Sequence, residues 1–239
     1  MSERKIFPDP YQTREKIDGM PETSKEKLIY KNAFRYLYLI AGRLSEIVGK
    51  YAPTGSDAHY KVIQGHKAVI FPVKTARHQG GFRPVVLPFS KKYEEWTEPL
   101  YEWFNSHQTS NPFDLGNIIK AQRKYFVRYY QWEAEKIFKD HEWRREEYLR
   151  NREIKKTIKK PFTLMRFRDQ RIRELRDIFN FSDEDIRIYV GLSQPPSFSR
   201  IPSLLTPSHQ EPVKELNYQI LESMAKNYFT KLMNPIQIY

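Results

Sequence analysis

Residues 36–48 read YLYLIAGRLSEIV. Apolar side chains stand on both sides of Gly42-Arg43, and the charged pair Arg43 and Glu46 falls between them. A helix that buries itself through Tyr36, Leu37, Leu39 and Ile40 seldom breaks at a Gly-Arg pair and resumes at once. An arginine at the mouth of such a turn is held rigidly, with its planar fork presented to an anion.

Upstream, Thr23 or Ser24 can cap a helix starting near Lys25, in which Leu28, Ala33, Phe34, Leu37 and Ile40 recur at helical spacing. Downstream, a short helix ends at Gly49, and Pro53-Thr-Gly-Ser-Asp is a loop. Residues 60–87 change to strand-like character. Ala68–Val73 and Pro84–Leu87 form two strands around a turn at Gln79-Gly80-Gly81, with Lys74 near the hairpin. Residues 91–106 make an amphipathic helix with Trp96, Leu100, Trp103 and Phe104. Residues 116–157 read as one or two long helices ended by Pro161, and another helix covers 163–178. Ser182 to Asp185 is a capping-box start for 183–190, which Gly191 ends.

The expected layout is an N-terminal arm with one loose helix (1–23), a principal domain (24–192), a proline-rich connector (193–212) and a C-terminal amphipathic helix (213–239). The fold class is mainly α with a small antiparallel β-sheet, an α+β domain. The pattern Val213, Leu216, Ile220, Met224, Phe229 permits the last helix to dock on a neighbouring protomer, giving a homo-oligomer.

The formal net charge is +12 over 239 residues. Between Lys120 and Arg173 there are 18 Lys or Arg against 8 Asp or Glu, most of that surplus. A cationic surface that follows a phosphate backbone is the favoured reading over a solvated helix face. Tyr125, Phe126, Tyr129, Tyr130 and Trp132 lie among these cations and read mainly as core. The chain has no cysteine, which excludes disulfides, thiolate zinc sites and a cysteine nucleophile. The six histidines show no metal spacing, and neither a phosphate-cradling glycine loop nor a serine elbow occurs. No metal or other cofactor is expected. With a polar N-terminus and no long apolar run, the expectation is a soluble, cytoplasmic protein with no membrane partner.

The ordered set resembles the catalytic domain of tyrosine recombinases, the phage-type integrases. The family presents its first catalytic arginine in a turn like Gly42-Arg43-Leu44-Ser45-Glu46, between two apolar helices. The segment VKTARHQGGFRPVVLP is similar to its strand–Lys–turn–Arg–strand hairpin, which makes Lys74 the family lysine. Phe179–Ser193 is similar to its passage of an acidic helix ending in a Gly. Counting back from Gly191 makes Arg168 the second arginine, with Arg166 the alternative under a two-residue shift. Arg171 falls where many archaeal members carry another.

The resemblance implies double-stranded DNA as partner, a mobile-element or viral setting, association with the nucleoid, and strand transfer without metal or nucleotide. Two arginines would hold the non-bridging phosphate oxygens, a lysine would protonate the leaving oxygen, and a tyrosine would form a 3′-phosphotyrosine. The chain departs from the family at the histidine position, occupied by Met165 or, on the shifted alignment, Thr163. It departs again at the later His or Trp position, Leu192, and at the usual tyrosine position, Ile201. Among Tyr218, Tyr228 and Tyr239, Tyr218 is the preferred nucleophile. The expected function is a DNA-binding, divergent or catalytically impaired integrase. The alternatives are an active recombinase using Tyr218 and a basic interaction module with no DNA role.

Overall fold

Helix α2 (Lys25–Leu39) is the element on which the others pack. Ser24 caps it through its side chain, as its sequence position suggests. Apolar periodicity suggests one buried face, yet Tyr30, Tyr36 and Tyr38 are as buried as Phe34 and Leu37. From Ile29 to Leu39 every residue but Arg35 is buried, so this part of the helix lies inside the domain. Here its tyrosines reach rings on several neighbouring segments. Tyr30 meets Tyr130 at 5.2 Å between ring centroids, Tyr36 meets Phe71 at 5.3 Å and Phe104 at 5.2 Å, and Tyr38 meets Trp96 at 5.6 Å. Offset and edge-on rings at such distances add to the stabilisation from burial.

The structure, a computed structural model, describes residues 2–6, 9–49, 52–74, 82–90, 94–141, 143–148, 154–192 and 225–234. The class is α+β. Around α2 stand α1 (Pro10–Asp18), α3 (Ser45–Val48), α4 (Thr97–Asn105), α5 (Gly116–Ile119), α6 (Arg123–Ile137), α7 (Met165–Asp177) and α8 (Asp183–Tyr189). A further helix, α9, covers 225–233. The expected sheet is an antiparallel meander of β2 (His59–Ile63), β3 (His66–Lys74) and β4 (Phe82–Pro88). In its register Val73 faces Arg83 and Lys74 faces Phe82.

Two expectations change. Residues 10–18 are not loose: Thr13 and Ile17 of α1 are buried, and Thr13 accepts a hydrogen bond from Gln170 at 2.7 Å. The long helical reading of 116–157 holds only through α6. A second antiparallel sheet follows, of β1 (Ser2–Ile6), β5 (Trp143–Tyr148) and β6 (Ile154–Lys160). Interleaved charges suit (i, i+4) helix pairs and cross-strand pairs alike. The register sets Glu146 opposite Arg4 and Glu147 opposite Lys156, and the partner β1 lies far away in sequence.

A buried ionic cluster joins α1, α2, α7 and the turn that precedes α4. Arg14 holds Glu174 through Nε at 3.0 Å and Nη2 at 3.1 Å, and Tyr38 donates to the same carboxylate at 2.7 Å. Arg171 donates to Glu174 at 3.0 Å and to Glu94 at 2.7 Å. Two arginines therefore meet two buried carboxylates, and Arg14 also reaches the more exposed Glu95 at 3.4 Å. Burial alone would raise the Glu174 pKa, but Arg14, Arg171 and Tyr38 outweigh it and hold it at about 2. Burial wins at Glu94, whose pKa is raised and whose Oε2 has no hydrogen-bond partner.

Glu174 is depressed in the folded state, so its stabilisation is complete above its ordinary value of 4.5 and is lost as pH falls toward 2. Glu94 acts in the opposite sense. We predict that Glu174→Gln costs about 3–5 kcal/mol in urea unfolding at neutral pH, because it leaves two buried cations under-compensated. Glu94→Gln costs less. In Glu174→Gln the loss of stability between pH 4.5 and 2 becomes shallower than in the wild type; the reverse ranking of the two variants would contradict this assignment.

Candidate functional site

The turn that breaks the apolar run is the C-terminus of α2. Gly42 N donates to Leu37 O at 2.8 Å and Ala41 N to Tyr38 O at 3.0 Å, the paired bonds of a Schellman ending. The left-handed residue is Ala41, at φ 47°, and not the glycine beside it. An alanine in this region costs about 1–2 kcal/mol. Gly42 is needed for another reason: a Cβ there would lie 2.7 Å from the Ile40 side chain and 3.2 Å from Glu46 Oε2.

Helix α8 ends in the same way. Gly191, at φ 69°, donates to Ile188 O, and Leu192 N donates to Arg187 O. The two helix ends converge, and each carries carbonyls with no partner within its own helix. Two arginines and one tyrosine supply the donors. Arg83 Nη1 donates to Ile40 O at 2.7 Å and also to Tyr189 O. Arg168 donates to Ala41 O at 2.7 Å and to Val190 O at 2.6 Å. Tyr189 OH donates to Leu39 O at 2.8 Å. Each guanidinium thus bridges α2 to α8, and this bridging holds the Ala41 conformation in place.

Glu46 completes the floor. Its Oε2 accepts from Arg83 Nη2 at 2.9 Å and from the Arg43 backbone N–H at 2.9 Å, closing the Gly-Arg-x-x-Glu turn on itself. Arg83 and Glu46 are almost fully buried. The Arg43 side chain is half-buried, and among the described residues its guanidinium has no hydrogen bond or ion pair. It stands close enough to Arg168 to repel it. Burial, then Arg83, then Arg43 push the Arg168 pKa down to about 10, against weaker support from Glu46 and Asp169. Asp169 itself pairs with Arg166 at 2.7 Å. Glu46 and the partial negative charge of two helix C-termini offset Arg83 and Arg168. Among the described residues no carboxylate pairs with the Arg43 side chain.

Of the residues expected from sequence, Arg43 and Arg168 lie within electrostatic reach of each other, and the buried Arg168 guanidinium is bonded to two helix-end carbonyls. The Lys74 backbone ends β3 one step past the Val73–Arg83 pair; the Lys74 side chain and Tyr218 lie outside the described residues, as does the connector 193–212. Arg166 is engaged with Asp169, and Arg171 belongs to the neutral cluster with Glu94 and Glu174. Arg168 and Arg171 are interior, so the 120–173 surplus is not all surface charge. Met165 and Leu192, at the family's histidine and His or Trp positions, are exposed.

The residues missed were Arg83 and Glu46. Alternation along β4 sets Arg83 on the face of Val85 and Leu87, both fully buried, and a charge in that series was the available signal.

Tyr228 of α9 is described and buried. Its ring stacks on Phe181 at 5.3 Å and meets Tyr189 edge-on at 5.7 Å, and its hydroxyl has no hydrogen-bond partner. Burial raises its pKa, with Arg83 opposing. Helix α9 docks on its own chain. Lys231 pairs with Asp185, and Gln64 donates to Thr230 at 3.2 Å.

No family model, curated protein or solved structure matches the chain. Among the described residues no cluster of His, Asp or Glu could hold a metal ion. No helix there is long and apolar enough to cross a membrane.

The three arginines should separate by stability. Arg83→Ala strips Glu46 of its buried partner and is expected to cost about 3–5 kcal/mol. Arg168→Ala leaves two helix-end carbonyls unpaired and also destabilises strongly. Arg43→Ala removes only repulsion and should leave stability within about 0.5 kcal/mol of wild type, or raise it. Denaturant unfolding of the three variants measures this, and a severe loss in Arg43→Ala would mean that its charge is already satisfied inside the fold.

Proposed function

We propose that the chain is a DNA-binding protein of the tyrosine-recombinase kind, divergent and catalytically impaired, that grips a backbone phosphate with Arg43 in front of Arg168. The observation that carries this reading is the half-buried Arg43 guanidinium, unpaired among the described residues and near enough to the buried Arg168 to repel it. A phosphodiester supplies the missing negative charge and two non-bridging oxygens for charge-assisted bonds. Lys74, by its place at the end of β3, is the proposed third cation. The impairment follows from side-chain chemistry: Met165 and Leu192 have no group able to move a proton. Homo-oligomerisation belongs to the same proposal, since a neighbouring copy would offer α9 the identical docking surface.

Strand cleavage is a second reading, and one observation favours it: the Tyr228 hydroxyl is buried, unpartnered and in the field of Arg83. Burial keeps that phenol protonated and away from a DNA strand in this state, so binding without cleavage is preferred. A nicked suicide duplex separates the two readings. Binding alone gives no covalent adduct, whereas an adduct lost in Tyr218→Phe or in Tyr228→Phe would establish cleavage and name the nucleophile.

Binding itself is tested by fluorescence anisotropy on labelled duplex across roughly 50 to 200 mM salt. Affinity is predicted to fall steeply with salt. Arg43→Ala is predicted to weaken binding about tenfold or more and to reduce the log–log slope by about 0.9, one phosphate's worth. A salt-independent affinity would instead favour an interaction module with no DNA role.

A further inference from the structure

Helix α6 keeps Phe126, Tyr130 and Ala134 in the core, yet turns other large residues outward. Tyr125 is 41% exposed, Val127 44% and Trp132 49%. Three of the eight exposed large hydrophobics among the described residues therefore lie within eight positions of one helix. The sequence reading of these aromatics as core holds for only some of them. Tyr125, Arg128, Tyr129, Trp132 and Lys136 recur at i, i+3, i+4, i+7 and i+11, which places them on one stripe.

The stripe alternates ring and cation. Lys124 Nζ lies 4.9 Å from the Tyr125 ring centroid and Arg128 Cζ 6.0 Å from it. Tyr129 and Trp132 meet edge-on at 5.4 Å. Between Lys120 and Asp140 six exposed cations, of which Arg123 pairs with Asp114 and Lys136 with Glu133, face two exposed carboxylates, Glu135 and Asp140. Glu133 is buried and already engaged with Lys27 and Lys136. A solvated helix face does not require exposed aromatic rings, and an apolar protein partner does not require this charge surplus. A ligand with both negative charge and flat, exposed π-faces uses both features. Single-stranded nucleic acid has them, whereas in a duplex the base faces are already stacked.

We propose that the outer face of α6 is a platform for unpaired nucleotides. Tyr125 and Trp132 stack on bases, and Lys124, Arg128 and Lys136 follow the phosphates. The two rings are about 10 Å apart along the helix axis, room for a short run of bases between them. The proposal adds to the DNA-binding reading but uses none of the residues around Arg43, so the two can fail separately.

The test is anisotropy with two labelled single strands of equal length, oligothymidylate and an abasic deoxyribose-phosphate chain. The wild type is expected to bind the base-bearing strand about tenfold or more tightly than the abasic one. The double variant Tyr125→Ala, Trp132→Ala should erase that preference with an unchanged unfolding midpoint, and Trp132→Phe should keep most of it. Arg43→Ala should retain the base preference while duplex binding weakens. Equal binding of the two strands by the wild type would overturn the platform, as would a preference that survives in the double variant. Loss of self-association in the double variant with unaltered strand binding would assign the stripe to a second copy, and would overturn it too.

Discussion

Two guanidiniums tie two helix ends together. Arg83 reaches from Ile40 O to Tyr189 O, and Arg168 from Ala41 O to Val190 O. Helix C-termini carry unpaired carbonyls and partial negative charge, so they are natural seats for arginine. In this chain the two seats are brought together. The strained Ala41 backbone, the glycine at position 42 and the left-handed Gly191 all serve that convergence. Arg43 leaves the α2 end at the same point, and its position is therefore fixed by bonds that its own side chain does not make.

Two ionic clusters in one core differ in how far they are balanced. Around Glu174 two arginines meet two buried carboxylates and the more exposed Glu95, and Tyr38 adds a further bond. That cluster closes on itself and reads as structure. Around Glu46 three arginines gather with one shared buried carboxylate and two helix ends. Burying like charges side by side is costly. A half-exposed cation kept at such a site is poised for an anion from outside.

Legibility in the sequence followed locality. The Gly42-Arg43 break, the Ser24 and Ser182 caps and the β3–β4 pairing depend on neighbours in the chain, and each is found in place, while the expected turn at Gln79-Gly80-Gly81 lies outside the described residues. Arg43 and Arg168 could be named because they sit at recognisable turns and spacings. Arg83 escaped because an arginine inside an apolar strand gives no local hint of which carbonyls, 43 and 106 residues away, it will cap. The β1–β5–β6 sheet escaped for the same reason, since its first strand precedes its second by the better part of the chain. The aromatics of α6 were divisible only once the helix had a core-facing side to compare with its outer one.

In the proposed reading Arg43 carries a charge that the described residues do not balance and a phosphate would. Thermal unfolding in inorganic phosphate against chloride, at equal ionic strength, tests it most directly. A ligand that binds the folded state alone adds about 2.7 kcal/mol of stability at one hundred times its Kd. The account predicts that phosphate raises the wild-type midpoint by several degrees and leaves that of Arg43→Ala unmoved. Equal stabilisation of both proteins, or of neither, would contradict it.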